Sequence, residues 1–307
     1  MAEALATVPG SAAAGRLVRL ASYASLFAAL TFIAVKFAAW LATGSVAVLS
    51  SLVDSLLDVL GSLITYFAVR HALVPADPEH RFGHGKAEPL AALALGAFIA
   101  GSAVLIVLES VLRFLDPRPV QNELVGIAVM VFTILGTLAL VGFQGYVVRR
   151  TRSMAIRADS LHYSGDLMLN GGVLVSLALS RWLGWNSIDP VFAVTIALYM
   201  LWNARAVGID AFHMLMDREL PDADRERIKA IVLGHPDVSA LHELRSRSSG
   251  PNSFIQLHVE MDGAITLERA HVIADEVEAA ILAAFPLAEV IIHQDPAGSN
   301  EPHRRVL

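Results

Sequence analysis

Two pairs of ionisable residues interrupt apolar segments of the chain. Asp54 and Asp58 share one segment, and His162 and Asp166 share another. Each pair is spaced i, i+4, so its side chains lie on one face of a helix. One imidazole and three carboxylates can enclose a tetrahedral divalent ion such as zinc. These groups could instead only join helices by hydrogen bonds, although a single amide side chain would do so at lower cost.

Two further groups of possible ligands lie in more polar stretches. Asp77, His80 and His84 fit an Asp-x-x-His-x-x-x-His pattern of zinc-type ligands, which an ordinary polar loop can also contain. A second group of imidazoles and one carboxylate lies near the C-terminus: His242, His258, His271, His293 and Asp295. Each histidine alone fits a hydrogen-bonded surface or core residue. The chain has no cysteine, which excludes disulfides and thiolate ligands.

The composition indicates a membrane protein. Of the 307 residues, 55% are hydrophobic and 17% are charged, against about 25% charged residues in a soluble domain. A helix needs about 20 apolar residues to cross a bilayer. Six such segments are predicted, at about 17–42, 46–72, 89–115, 123–148, 158–183 and 188–209. The net charge of -6 argues against nucleic acid as a partner.

Basic residues predict the orientation of these segments. One side of the predicted membrane carries most of them: Arg16, Arg19, Arg70, Arg81, Lys86, Arg149, Arg150, Arg152 and Arg157. The positive-inside rule then places both termini in the cytoplasm. A carboxylate in hydrocarbon costs at least about 2.5–3.5 kcal/mol. The four ionisable residues of the second and fifth segments are therefore expected to be functional.

The pattern changes after about residue 210. Charged and apolar residues recur at helical spacing over 221–235 and 267–285, whereas 238–247, 254–261 and 290–293 alternate like strands. The order α-β-β-α-β predicts a small α+β domain with one sheet. We therefore expect a tail at 1–15, a membrane domain at 16–209, a soluble domain at 210–296 and a tail at 297–307.

These residues and their surroundings resemble the cation diffusion facilitator family, specifically its bacterial zinc and ferrous-iron efflux type. The resemblance runs from about Arg16 to Pro296. The stretches that carry it are Gly-Ser-Val-Ala at 44–47 leading to Asp54 and Asp58, Arg-Phe-Gly-His-Gly-Lys-Ala-Glu at 81–88, Arg-Ala-Asp-Ser-Leu-His-Tyr at 157–163 leading to Asp166, and His-Gln-Asp-Pro at 293–296. All four occur in order on the expected elements, which makes the resemblance specific.

The resemblance implies a homodimer in the cell inner membrane, with six transmembrane helices and a cytoplasmic metallochaperone-like domain. It implies export of a divalent transition metal, zinc by preference and Fe²⁺ or Cd²⁺ as alternatives, in exchange for protons by alternating access. It assigns Asp54, Asp58, His162 and Asp166 to transport, and the loop and C-terminal groups to further metal sites, the latter binuclear at the dimer interface. It also pairs Lys86 with Asp217 and makes Leu161 a hydrophobic gate.

Two other functions remain open from the residues alone. A membrane metal sensor would need the soluble metal sites but no transport. An intramembrane metalloenzyme would use similar ligands with an open coordination position, but it usually has a His-Glu-x-x-His helix, which this chain lacks. Lys36, Glu109 and Asp159 are ionisable too and are not assigned as ligands. Asp159 fits either an entry path or an exposed helix end.

Overall fold

The computed structural model describes residues 12–43, 46–115, 124–183 and 188–298. The chain forms two compact units that divide between Leu215 and Met216. The first unit is helical, and the second combines helices with a sheet. The division lies a few residues after the change in composition near residue 210, because the last long helix continues beyond its predicted end at residue 209.

Six long helices form the first unit within the described residues. They are α1 (Ala12–Thr43), α2 (Val46–Ala72), α3 (Ala87–Leu115), α4 (Leu124–Thr151), α5 (Met154–Leu183) and α6 (Ile188–Leu215). Each corresponds to a predicted apolar segment. The start of α5 precedes its predicted position at residue 158, because only Arg152 and Ser153 separate α5 from α4.

Four of these helices are apolar enough to cross a membrane, judged by length and composition over the described residues. The candidate spans are Ala12–Ala42, Ala87–Leu112, Ile127–Thr151 and Val191–Leu215, which lie in α1, α3, α4 and α6. The other two, α2 and α5, carry the candidate ligands. Ionisable side chains are costly in a bilayer, so those of α2 and α5 need partners inside the helical unit.

A carboxylate from α3 fixes the start of α5. Glu88 lies in the first turn of α3 and is buried. It accepts hydrogen bonds from Ser153 Oγ at 2.8 Å and from Met154 N at 3.0 Å. A carboxylate at a helix N-terminus satisfies free N–H groups and complements the helix dipole. This contact positions α5, and with it His162.

The second unit contains one three-stranded sheet and two helices. Its elements are α7 (Asp222–Leu233), β1 (Ala240–Ser249), β2 (Asn252–Met261), α8 (Leu267–Ala284) and β3 (Ala288–Pro296). The strand order is β1-β2-β3, with β1 and β2 antiparallel and β2 and β3 parallel. A parallel pair needs a crossover connection, and α8 provides it.

The two faces of this sheet differ in chemistry. Along β2, Leu257 and Val259 are buried in a core that includes Ile273 of α8. Successive side chains of a strand point to opposite faces. His258 and Glu260 therefore lie on the face that α8 does not cover. The alternation of the strand thus separates an apolar core from a polar face.

Candidate metal centres

Helices α2 and α5 bring together three of the four ionisable residues predicted in the apolar segments. His162 Nε2 lies 3.3 Å from Asp58 Oδ1 and 3.9 Å from Asp166 Oδ2. One ligand atom from each residue falls within 4.8 Å of the others. Asp58, His162 and Asp166 are called the helix cluster below.

Two atoms of the helix cluster are positioned to bind an ion. His162 Nε2 and Asp166 Oδ2 are buried and have no hydrogen-bond partner among the described residues. Buried polar atoms are normally hydrogen-bonded. An imidazole nitrogen and carboxylate oxygens are ligands of divalent transition metals, so the cluster fits such an ion as a bound substrate.

Asp54 lies one turn before Asp58 on α2, outside the group of atoms within 4.8 Å. Its side chain is exposed in the single chain. It interacts electrostatically with Lys36 of α1 and with Asp58. The structure thus places Asp54 beside the helix cluster, and its role as a fourth ligand stays a prediction.

Lys36 brings a positive charge next to the helix cluster. Its Nζ donates to Ser55 Oγ at 2.6 Å and to the backbone oxygen of Ser51 at 3.1 Å, both on α2. It also interacts electrostatically with Asp58 and Asp166. Lys36 therefore pairs with groups inside the helical unit, and its charge acts on the same carboxylates that face His162.

Asp159 lies one turn before His162 and is fully buried. Its Oδ2 accepts a hydrogen bond from Gln144 Nε2 of α4 at 2.7 Å. The hydroxyls of Ser25 and Thr65 also face its carboxylate. The interpretation of Asp159 as an exposed helix-end carboxylate is therefore wrong. It belongs to a polar contact that joins α1, α2, α4 and α5.

Gly61 lets α2 and α5 approach each other at the helix cluster. It lies one turn after Asp58, and a Cβ built on it would be 3.7 Å from the His162 ring and 3.5 Å from Leu95 Cδ2. A methyl group fits at these distances, whereas a branched side chain would collide with the imidazole. The space for His162 therefore depends on a small residue at position 61.

The loop between α2 and α3 gathers the second predicted group. His80 Nδ1 lies 3.3 Å from Asp77 Oδ1, and His84 Nε2 lies 3.3 Å from Asp77 Oδ2. Asp77, His80 and His84 are called the loop cluster. His84 is buried, and its Nδ1 has no hydrogen-bond partner among the described residues. An orphaned imidazole nitrogen beside a carboxylate fits a metal ligand set.

Backbone hydrogen bonds keep the carboxylate of the loop cluster ionised. Asp77 Oδ1 accepts from the N–H groups of His80 at 2.6 Å and Glu79 at 2.9 Å. The bond from His80, and then the bond from Glu79 and the nearby imidazoles, hold the pKa of Asp77 below its ordinary value. Metal binding requires an ionised carboxylate, so Asp77 is ready to bind a cation.

The register of the sheet aligns three histidines of the C-terminal group. His242 pairs with His258 across β1 and β2, and His258 pairs with His293 across β2 and β3. Their side chains therefore share the face that α8 leaves uncovered. Asp295 lies two residues after His293 on the same face. His242, His258, His293 and Asp295 are called the sheet cluster.

Asp295 is buried and contacts all three histidines. Its Oδ2 lies 3.3 Å from His242 Nε2 and 2.9 Å from His258 Nδ1, and its Oδ1 lies 3.2 Å from His293 Nε2. A carboxylate with its two oxygens directed at different imidazoles can bridge two metal ions. The arrangement therefore fits one or two ions.

The structure does not bring His271 to this group within one chain. His271 lies on α8, which packs on the opposite face of the sheet. Its side chain is 71% exposed and lies 3.7 Å from Asp275.

Glu260 also lies beside the sheet cluster, with its Oε1 3.6 Å from His242 Nε2. Sequence analysis missed Glu260, because only its register position opposite Asp295 distinguishes it from an ordinary strand residue.

The remaining predicted residues occupy separate places. Lys86 Nζ donates to the backbone oxygen of Leu215 at 3.4 Å within the first unit. Asp217, in the second unit, lies 3.3 Å from Arg247. The pairing of Lys86 with Asp217 thus stays a prediction. Leu161 packs against buried apolar residues of α3 and α6, and its role as a gate also stays a prediction.

Comparison with known proteins identifies the family of both units. Residues 22–216 match the family described as "Cation efflux transmembrane domain", and residues 220–297 match "Cation efflux protein, cytoplasmic domain". The chain is 50% identical over 282 residues to the "Cation-efflux pump FieF" of Salmonella arizonae and to that of Salmonella choleraesuis. In each case the match covers 92% of this chain and 94% of the relative.

Solved structures also match about a quarter of the chain. One is described as "Metal-bound C-terminal domain of CzcD transporter from Thermotoga maritima". It is 29% identical and covers 26% of this chain and 93% of that structure, with a TM-score of 0.25.

Proposed function

The chain belongs to the cation efflux family of membrane transporters, and on this premise we propose that it exports a divalent transition metal, with zinc preferred and Fe²⁺ or Cd²⁺ as alternatives, in exchange for protons. Asp58, His162 and Asp166, with Asp54 as the fourth ligand, would bind the metal during transport. Membership of this family makes the protein a transporter and not an enzyme, so the metalloenzyme alternative is wrong.

The observation that carries this proposal is the helix cluster itself. Two candidate ligand atoms, on His162 and Asp166, are buried without a hydrogen-bond partner among the described residues, next to Asp58. Most buried polar atoms have a hydrogen-bond partner, and these two belong to residues of zinc-ligand type that lie beside a third such residue. Four-coordinate nitrogen and oxygen ligation suits zinc, which supports zinc as the preferred substrate.

Competition between metal and protons at the helix cluster would produce the proposed exchange. Metal binding requires a neutral imidazole and ionised carboxylates. An imidazole ordinarily exchanges its proton near neutral pH. Protons that enter the helix cluster from outside would therefore displace the metal there. An inward proton gradient could then drive the metal outward without ATP. The sequence contains no Walker-type phosphate loop, which also supports transport without ATP.

We further propose six transmembrane helices with both termini in the cytoplasm of a bacterial-type inner membrane. The predicted orientation follows from the basic residues of the loops. In this arrangement α2 and α5 also cross the bilayer, with their ionisable face turned toward the helical unit and away from lipid.

The loop and sheet clusters would hold resident ions that stabilise or sense, and the metal would not pass through them. In the loop cluster the imidazoles face an ionised carboxylate, and in the sheet cluster they surround a buried one. Both ligand sets therefore fit a resident ion.

The protein would act as a homodimer, with Lys86 and Asp217 linking helices and Leu161 acting as a gate. His271 would join a sheet cluster only from a second copy of the chain.

Flux measurement tests this function. The protein is reconstituted into liposomes with a zinc-sensitive dye inside, a pH gradient is imposed, and wild type is compared with Asp54→Ala. We expect zinc flux that reverses with the gradient in wild type and is lost in the variant. Flux that ignores the gradient would exclude proton coupling. No flux with zinc, iron, cadmium or manganese would favour the metal sensor.

A further inference from the structure

A fourth imidazole lies beside the loop cluster. His71 is in the last turn of α2. Its ring centroid lies 4.5 Å from that of His84, with an angle of 70° between the ring planes. The ring of His80 lies 4.6 Å from His84. His71 is therefore as close to the buried His84 as His80 is, although His80 belongs to the loop cluster. No spacing pattern in the sequence includes His71.

The loop cluster alone provides too few ligands for a closed metal site. Structural zinc sites are almost always four-coordinate, whereas Asp77, His80 and His84 provide three ligands. The ligand atoms of those three residues lie within 4.8 Å of one another, and His71 is not part of that group. His71 is exposed. Exposed side chains change rotamer within nanoseconds, so rotation of His71 can bring a ring nitrogen to the ion.

We propose that His71 is the fourth ligand of the loop cluster, which is then a closed site of three imidazoles and one carboxylate for a divalent transition metal. This inference rests on the proposed loop metal site and specifies its coordination. A closed set leaves no position for water, so the ion would be held and not exchanged with a substrate. Such a set is typical of structural ions.

The fourth ligand would also connect two helices. His71 belongs to the last turn of α2, which carries Asp58 of the helix cluster. The backbone oxygen of His84 accepts from the N–H of Ala87, the first residue of α3, at 2.9 Å. An ion bound by His71 and His84 would therefore tie the end of α2 to the start of α3. Filling the loop cluster would restrain the helix that carries Asp58.

Stacking alone is the competing explanation for the contact of His71 with His84. Two aromatic rings at this distance and angle attract each other without any metal. His71→Phe separates the two explanations, because phenylalanine keeps a ring against His84 but has no nitrogen ligand. If His71 binds the ion, His71→Phe should weaken binding at the loop cluster at least about tenfold, since even outer-shell partners of a metal change affinity by about 10–100-fold.

Cobalt spectroscopy on a cysteine variant provides the direct test. The chain has no cysteine, so in His71→Cys any thiolate-to-cobalt charge-transfer absorption must come from position 71. The full-length purified protein is loaded with Co²⁺ under reducing conditions. His213→Cys, which puts a thiol near the end of α6, is the matched control, and His71→Cys combined with His84→Ala removes a loop ligand.

We expect the charge-transfer band in His71→Cys, and its absence in His213→Cys and in the double variant. Cobalt bound to His71→Cys in the wild-type amount without that band would overturn the assignment, as would wild-type affinity in His71→Phe. If His84→Ala binds as many cobalt ions as wild type, the loop cluster holds no metal and both proposals about it fail. Zinc flux through the helix cluster would be unaffected by that result.

Discussion

The helix cluster and the sheet cluster use the same ligand types on different scaffolds. In the sheet, His242, His258 and His293 are aligned by backbone hydrogen bonds between three neighbouring strands. In the helical unit, Asp58 and His162 meet across two helices, and their approach depends on Gly61. Strand register fixes positions through the backbone, whereas helix pairs can shift against each other by side-chain repacking.

This difference indicates different tasks for the two clusters. Asp295 already contacts three imidazoles at 2.9–3.3 Å, so the sheet cluster is organised to retain an ion. The helix cluster has a single imidazole, whose Nε2 lies 3.3 Å from Asp58 and 3.9 Å from Asp166, on two helices that no backbone hydrogen bond joins within the described residues. A carrier must release its substrate as well as bind it, and the less constrained scaffold suits this requirement.

The largest expected effect comes from removing a ligand of the helix cluster. Asp58→Asn keeps the size of the side chain but removes a negative ligand. Loss of an outer-shell partner alone usually costs a metal site about 10–100-fold, so we expect zinc uptake by proteoliposomes to fall about 100-fold or more. Asp210→Asn is the control, because Asp210 forms an exposed ion pair with Arg157. Uptake in Asp58→Asn within twofold of wild type would remove the helix cluster from the transport path.

A substitution in the sheet cluster should affect binding and not transport. Asp295→Asn removes the carboxylate that contacts three histidines, and we expect zinc affinity of the cytoplasmic site to fall about 10–100-fold. Equilibrium dialysis of the full-length protein measures the loss, with Asp262→Asn in an exposed turn as the control. If zinc uptake were abolished along with binding, the two clusters would not have separate tasks.

Changing the space between α2 and α5 tests the role of the helix scaffold. Gly61→Val would press a methyl group against His162, and overpacking of this kind costs about 1–3 kcal/mol. We expect uptake to fall about tenfold in Gly61→Val and to be nearly normal in Gly61→Ala. Gly101→Val is the matched control, since no atom lies within 4 Å of a Cβ there. Equal uptake by Gly61→Val and Gly101→Val would show that the close approach is unimportant.

The smallest effect is expected from the charge of Lys36. Lys36→Gln can keep hydrogen bonds to Ser51 and Ser55 but removes the positive charge that repels a bound cation. The KM for zinc should fall roughly fivefold, the factor given by about 1 kcal/mol of lost repulsion. Lys36→Arg should retain the wild-type KM. A rise in KM with Lys36→Gln would instead mean that Lys36 supports the metal-binding arrangement of α2 mainly through its contacts with Ser51 and Ser55.

Sequence patterns predicted the elements better than their contacts. The i, i+4 spacing placed Asp54 and Asp58 on one helix face, and alternation placed His258 in a strand. Spacing could not reveal that Asp54 lies outside the group formed by Asp58, His162 and Asp166. That distinction depends on how far α2 is rotated toward α5, which is set by packing between helices and not by periodicity.

Several contacts of the candidate sites depend on tertiary structure alone. Glu88 bonds to the start of α5, 65 residues away in sequence. Lys36 meets Ser55 of the next helix. His71 lies nine residues before the first histidine of the loop pattern, and the turn after α2 brings it back to His84. No local sequence rule links residues that are so far apart in the chain, so these contacts could not be predicted from one sequence.

The difference in task between the two scaffolds can be measured as the rate at which bound zinc exchanges. The full-length protein is loaded with radioactive zinc and chased with unlabelled zinc, in wild type, Asp58→Asn and Asp295→Asn. We predict a fast phase that is lost only in Asp58→Asn and a slow phase whose amplitude falls only in Asp295→Asn, the remaining slow zinc being the ion of the loop cluster. A fast phase that depends on Asp295, with slow exchange at Asp58, would contradict the account.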